Sequence, residues 1–267
     1  MDKLVLITGI SKNIGKSICK KFYMGGYKVI GTYKSEFDNE ESKRKFLEEF
    51  PNIELYKVDL CRKENVTNFI EQMKKYQFDV IVHNAGMLSL EGDNVRNEFT
   101  NLDIDDFYDV VNCNFIAPTR ISIELKDNIK ENGTIINISS GAALIAGIAT
   151  ISYNASKAAL INASASLSNS FPKYKNKMIR VNSVLPGWVE ADAVGGMNMN
   201  EDSIGIRAAK ISPMGRNGET KEIADVVYYL STPESSFING ANISVDGGWS
   251  NFNVIYYEEA TQERLLR

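Results

Sequence analysis

The sequence is short of the residues that usually signal metal, disulfide or membrane chemistry, with one histidine, three cysteines and six prolines in 267 residues. A solitary histidine, His83, has no partner ligands, so it reads as structural and no metal site is expected. Cys19, Cys61 and Cys113 are odd in number, widely separated and never paired as Cys-x-x-Cys, the pattern of buried thiols in a reducing compartment. No apolar run approaches the ~20 residues a membrane span needs. Met1-Asp2-Lys3 leads straight into a strand-like segment without a small-residue cleavage site, so a cytoplasmic protein with no membrane partner is expected. The formal charge of −4 gives no reason to expect nucleic acid or an anionic surface as partner. Pro- or Ser-rich linkers and internal repeats are also missing. Residues 1–250 are therefore expected to form a single domain, large enough to bury a sizeable core.

What is present is an alternation of short β-rich runs with longer helical patterns, the signature of βαβ units and a parallel sheet. Strands are expected at Leu4–Thr8, Tyr27–Tyr33, Ile53–Val58, Val80–His83, Thr134–Ile138, Ile179–Val184 and Asn242–Val245. Most are continuous apolar runs, as required when helices cover both faces. Helices are expected at Ile14–Met24, Glu40–Phe50, Lys63–Tyr76, Asp105–Asn128, Tyr153–Phe171 and Lys221–Leu230, with Pro118 kinking or ending the fourth. The fold class is thus α/β, a doubly wound Rossmann-type fold with about seven parallel strands. Residues 190–212, with Gly195-Gly196, Met197, Met199 and Ile204, read as an irregular substrate loop or lid. Residues 251–267 read as a tail whose apolar Phe252, Ile255, Tyr256 and Tyr257 suggest docking on this subunit or a neighbour.

Two places carry chemistry. Thr8-Gly9 ends the first strand and Ile14-Gly15-Lys16-Ser17 opens a helix, so a tight turn aims backbone N–H groups and a positive helix end at a pyrophosphate. Tyr153 and Lys157 stand four residues apart, on one face if helical. A free phenol has a pKa of about 10. A neighbouring cation favours the phenolate and is expected to bring it towards working range. Tyr-x-x-x-Lys alone is a weak signal, and a buried Tyr beside a solvated Lys is its bland counterpart.

The company these residues keep resembles the short-chain dehydrogenase/reductase family over about Lys3 to Ser250. Thr8-Gly9-Ile10-Ser11-Lys12-Asn13-Ile14-Gly15 is similar to its Thr-Gly-x-x-x-Gly-x-Gly turn, with Asn13 where the middle glycine usually stands; Asn tolerates left-handed backbone, so the turn can survive. Asp59-Leu60 resembles the pair that holds the adenine ring, and His83-Asn84-Ala85-Gly86 resembles Asn-Asn-Ala-Gly. Ser140 stands thirteen residues before Tyr153, the family's separation. The resemblance implies that Tyr153 exchanges a proton with the substrate oxygen, Ser140 holds that oxygen, and Lys157 binds the nicotinamide ribose and tunes Tyr153. Asn114, preferred over Asn112 because Asn114-Phe115-Ile116-Ala117-Pro118 fits the family stretch better, would help hold a proton-relaying water. Pro186-Gly187 and Val189 would meet the carboxamide, while Ala191 replaces the usual Thr. Ser212-Pro213-Met214-Gly215-Arg216 and Val245-Asp246-Gly247-Gly248-Trp249 resemble the C-terminal signatures.

Cofactor choice turns on the end of the second strand, where NAD sites place a carboxylate and NADP sites a basic residue. Here Gly31-Thr32-Tyr33-Lys34-Ser35 has no carboxylate before Glu36, and Lys12 can approach from the first turn, so NADP is expected, with NAD as the alternative. The implied activity is hydride transfer between NADP(H) and a carbonyl or secondary alcohol of small-molecule size. Reduction of an enoyl double bond is disfavoured by the four-residue Tyr–Lys spacing. A non-catalytic nucleotide-binding scaffold is the reading from another class. Ala155, Ala158, Ala159, Ala163 and Ala165 permit close helix approach, and the family implies a homotetramer, with a dimer second.

Overall fold

The computed structural model describes residues 3–34, 37, 39–88, 103–145, 149–175, 177–190 and 204–251, the side chains at 204, 205, 207 and 211 excepted. The chain alternates β1 (Leu4–Thr8), α1 (Asn13–Met24), β2 (Lys28–Tyr33), α2 (Glu40–Glu49), β3 (Glu54–Lys57), α3 (Lys63–Met73) and β4 (Phe78–His83). After α4 (Ile104–Val111), a π turn at Asn112–Ile116 and α5 (Ala117–Glu124) come β5 (Ile129–Ile138), α6 (Ile151–Ser170) and β6 (Arg180–Pro186). Two residues of β7 (Val189–Glu190) pair with β8 (Gly218–Glu219), with α7 (Ile204–Ile211) between them. The chain then runs through α8 (Thr220–Leu230) to β9 (Asn242–Val245).

Seven strands form one parallel sheet in the order β3-β2-β1-β4-β5-β6-β9. The reason lies in strand composition. Successive side chains of β1 point to opposite faces. Val5 and Ile7 therefore pack with Ile18, Phe22, Ile223 and Val227 of α1 and α8. Leu6 packs with Val66, Phe69, Ile70 and Ile121 of α3 and α5. Both faces are dry, so alternation gives way to continuous apolar runs. The order reverses at β1 and β4, the switch point where ligands bind beyond the carboxyl ends of the strands.

Two expectations need correction. The helix expected over Asp105–Asn128 is divided: α4 ends at Val111, the π turn follows, and α5 is succeeded by a 3₁₀ turn at Lys126–Asn128. Pro118 is the physical cause, since it has no N–H for the carbonyl four residues earlier, that of Asn114, and its ring crowds that carbonyl. The segment 190–212 is not wholly irregular either, because α7 occupies Ile204–Ile211. Ile204, Ala208 and Ile211 supply the helical spacing that could have revealed it. Ala191, the remaining loop residues to 203 and the tail from 252 lie outside the described residues.

Candidate active site

The first turn is held by the residues that cross the switch point. Thr8 Oγ1 accepts hydrogen bonds from the Asn84 and Ala85 backbone N–H groups at 3.1 and 3.0 Å. Asn84 Nδ2 in turn donates to the Thr8 and Gly9 carbonyls at 3.1 and 2.7 Å. Gly9 has φ +70°, and a Cβ on Gly15 would lie 1.9 Å from the Gly9 carbonyl oxygen, so a methyl group there is incompatible with the turn. Asn13 sits at φ 51°, the left-handed backbone that asparagine tolerates, and its Oδ1 is buried without a partner. At the start of α1, Lys12 provides no side-chain cap and the first turn carries no acidic residue. A positive helix start that carries no acidic residue and no cap from Lys12, beside a Cβ-free cradle, is what a pyrophosphate requires. The residues therefore fit a dinucleotide.

At the far end of this groove Lys34 Nζ lies 3.1 Å from Asp59 Oδ2. Burial opposes the Lys34 charge, yet the hydrogen bond and charge of Asp59 hold it above the ordinary lysine range. Burial likewise opposes the Asp59 carboxylate, but the Cys61 backbone N–H and Lys34 hold it below its usual range.

The other end combines three elements. Ser140 caps the short turn after β5, its Oγ accepting from the Ala142 N–H at 3.1 Å, and it also hydrogen-bonds the Tyr153 hydroxyl. Tyr153 and Lys157 share α6, one turn apart, and the Lys157 Nζ lies 5.6 Å from the phenol ring centroid. Lys157 is buried and donates to the Ile138 carbonyl oxygen at 2.9 Å. Burial lowers its pKa to about 8. The expected lowering of Tyr153 by the ammonium is not what the site displays. Burial raises the phenol, and the opposing influence comes from the Ser140 hydroxyl.

Asn114, inside the π turn, is almost fully buried, with its Oδ1 accepting from the Met87 N–H at 2.8 Å. Its Nδ2 donates to the Met87 carbonyl at 2.9 Å and to Ser156 Oγ at 3.1 Å, so it clamps the strand exit of β4 to α6. His83 is buried behind this region. Ser122 Oγ donates to the Pro118 carbonyl at 2.8 Å, which leaves His83 Nε2, 2.9 Å away, as donor to Ser122. Burial depresses its pKa to about 3, so the ring is neutral.

A cavity of about 470 Å³ joins these groups. Gly9, Lys12, Asn13, Ile14, Gly15, Asn84, Ala85, Gly86, Ser140, Tyr153, Lys157, Pro186, Gly187 and Val189 line it, whereas Ser11, Lys34, Asp59, Leu60 and Asn114 do not. Met87, Leu88, Ile138, Ser139, Ala142, Ala149, Trp188 and Trp249 line it too and were not expected as site residues from the sequence, Trp249 having been noted only within a C-terminal signature. The chain's two tryptophans both being among them is a signal that composition offered, each adjoining a glycine-bearing motif.

Residues 9–250 match the family model described as Enoyl-(Acyl carrier protein) reductase. Among curated proteins, the chain is 30% identical over 248 residues to 3-oxoacyl-[acyl-carrier-protein] reductase FabG of Salmonella typhimurium, covering 92% of this chain and 96% of that protein. It is 29% identical over 255 residues to 3beta-hydroxysteroid dehydrogenase 2 of Eggerthella lenta, covering 92% and 94%. The solved structure of ElxO with NADP bound superposes with a TM-score of 0.79 at 28% identity, covering 93% of this chain and 99% of that one.

Proposed function

The chain belongs to the short-chain dehydrogenase/reductase family of oxidoreductases, and on that premise we propose that it interconverts a carbonyl compound and a secondary alcohol using NADP(H). The observation that carries this reading is the convergence of Ser140, Tyr153 and Lys157 on one end of the cavity whose other end is the glycine turn. The cofactor, when bound, supplies or takes up the hydride, and the protein supplies binding, orientation and a proton. The α1 N-terminus with Gly9, Ser11, Lys12, Asn13, Ile14 and Gly15 would hold the pyrophosphate. Asp59 and Leu60 would flank the adenine, and Asn84, Ala85, Gly86, Pro186, Gly187 and Val189 would border the nicotinamide half.

Ser140 Oγ, hydrogen-bonded to Tyr153, would hold the substrate oxygen while the phenol gives it a proton during reduction. A phenol raised by burial is a poor base but a willing hydrogen-bond donor, which suits the reduction direction. Lys157 would bind the ribose, its charge becoming favourable again once cofactor oxygens surround it. Asn114 keeps the β4 exit and α6 in register and would help hold a relay water.

NADP is preferred to NAD on the placement of Lys34 at the end of β2 and Lys12 in the first turn, and solved relatives bind it. The family model's description raises enoyl reduction as a second reading. The four-residue Tyr153–Lys157 spacing and the 3-oxoacyl reductase relative favour the carbonyl.

The inward side of α6 is Ser152, Ser156, Leu160, Ser164 and Ser168, while Ala155 is exposed and Ala158, Ala159, Ala163 and Ala165 are half-buried. Those alanines leave room for a second helix, which supports a homotetramer. A cytoplasmic location goes with this reading. Among the described residues no helix is long and apolar enough to cross a membrane.

Single-turnover assays with NADPH against paired 3-oxoacyl and 2-enoyl thioesters test the reading. Oxidation of NADPH by the oxo compound alone is expected; oxidation only by the enoyl partner, or by neither alongside a broad ketone panel, would refute it.

A further inference from the structure

The last strand returns a large ring to the catalytic end of the cavity. β6 and β9 pair in parallel, Pro186 opposite Val245, and the Gly187 N–H donates to the Val245 carbonyl oxygen at 3.1 Å. Beyond β9 the Asp246 carboxylate accepts from the Gly248 and Ser250 N–H groups, both at 2.9 Å. The Asp246 carbonyl oxygen accepts from the Trp249 N–H at 3.2 Å. This turn holds Trp249 over Gly141, the residue that follows Ser140. A Cβ built on Gly141 would lie 3.2 and 3.4 Å from Trp249 Cζ3 and Cε3, so the six-membered edge of the indole rests against that glycine. Trp249 is buried, it lines the cavity, and its Nε1 is enclosed with no acceptor among the described residues.

We propose that Trp249 is a specificity-determining residue, a wall that limits the substituent on its side of the substrate carbonyl to a methyl- or ethyl-sized apolar group.

Distance sets the size limit. Ser140 and Gly141 are adjacent, with α-carbons ~3.8 Å apart, so the ring stands about one residue's length from the side chain that would hold the substrate oxygen. A substituent directed from the carbonyl carbon towards Gly141 meets the indole after a short extension. The chemistry of the lining sets the polarity. Ala142, Ala149, Trp188 and Trp249 carry no charge, and the two cations that line the cavity, Lys12 and Lys157, are given to the cofactor by the proposed function. A charged substituent here would lose its water without gaining a partner, whereas a methyl group gains from burial.

The unpartnered Nε1 fits this role. Phenylalanine would fill the place without enclosing a donor, so what the position gains from tryptophan is breadth. The limit falls on one substituent only; the other, directed away from Trp249, is not bounded by it. This wall rests on the proposed function, because it takes Ser140 as the residue that holds the substrate oxygen.

The test is calorimetric titration of acetoacetyl-pantetheine and 3-oxooctanoyl-pantetheine into the full-length protein in excess NADP+, which cannot reduce them. The parent is expected to bind the short compound at least about tenfold more tightly, the size of a methylene misfit in a closed pocket. Trp249→Ala is expected to narrow that ratio to about threefold or less by gaining affinity for the longer compound, with Trp249→Phe between the two. A fold defect weakens both compounds alike, so the ratio still decides, and Trp249→Phe supplies it where Trp249→Ala does not fold. Equal affinities in the parent, binding of neither compound, or a ratio that both substitutions leave unchanged overturns the wall. NADPH oxidation by the same two compounds separates the readings. A preference for the short compound that Trp249→Ala relieves, in a protein that oxidises NADPH with no carbonyl, upholds the wall and overturns the proposed function.

Discussion

Lys157 donates to the carbonyl oxygen of Ile138 at 2.9 Å, and so the one buried ammonium on α6 is tied to the end of β5. That single bond satisfies one of three N–H groups, and burial leaves the charge near its titration point, at about pH 8. The phenol beside it is governed by burial and Ser140.

Cofactor binding should therefore weaken as pH rises. The folded-state pKa of Lys157 is depressed from 10.5 to about 8, so the unliganded protein loses this proton over pH values where the free side chain would keep it. Interactions that need the ammonium are complete below about pH 8 and fade above it. Fluorescence titration with NADPH from pH 6 to 10 should show the dissociation constant rising roughly tenfold per unit above that point, for a site that binds only the protonated lysine. Lys157→Met should bind weakly and flatten the dependence. A flat wild-type profile would contradict the assignment.

Tyr153→Phe removes the hydroxyl and leaves the ring. Turnover should fall by roughly two to four orders of magnitude, the range for a positioned proton donor, with NADPH affinity within about threefold of the parent. Stopped-flow measurement of NADPH oxidation separates the two quantities.

Lys34→Ala should lower kcat/KM with NADPH by about ten- to a hundredfold, the size of a charge-assisted hydrogen bond, and leave NADH nearly unaffected. The ion pair with Asp59 at 3.1 Å is half-exposed on the lysine side, so its loss should move Tm little. Steady-state assays with both cofactors check it. Equal losses with each would argue for an effect through Asp59 rather than on a 2′-phosphate.

Stability should fall on acidification through His83. Its pKa in the folded protein is about 3 against 6.5 in the free residue, so below pH 6.5 the unfolded chain binds the extra proton. Stability rises with pH wherever the unfolded state holds more protons. This contribution is intact above 6.5 and declines by at most about 1.4 kcal/mol per pH unit down to the folded value. Urea unfolding at pH 7, 6 and 5 should give a steeper decline for the parent than for His83→Asn. Parallel slopes would show that other groups dominate.

Gly15→Ala should abolish dinucleotide binding and cost stability, since its Cβ would stand 1.9 Å from the Gly9 carbonyl oxygen and 2.5 Å from Asn84 Nδ2. Both neighbours belong to the stitch between β1 and β4, so neither can yield without opening the switch point. Thermal unfolding with and without NADPH is the measurement, and a parent-like cofactor-induced rise in Tm is the result that would speak against it.

Periodicity and apolar runs determined the seven strands, the parallel sheet and most helix positions by themselves, because those signals are local: a dry strand must be apolar throughout, and a helix facing a sheet must repeat every 3.6 residues. The glycine turn, Ser140, Tyr153 and Lys157 were legible for the same reason, being fixed spacings beside a strand end. Only the tertiary structure decided what depends on segments distant in sequence. Burial, a property of surroundings rather than of spacing, set the charge preferences of Lys157 and Tyr153. Pro118 turned an expected long helix into a π turn, and the hydrogen bonds of Asn114 to Met87 and Ser156 joined segments that lie far apart in sequence.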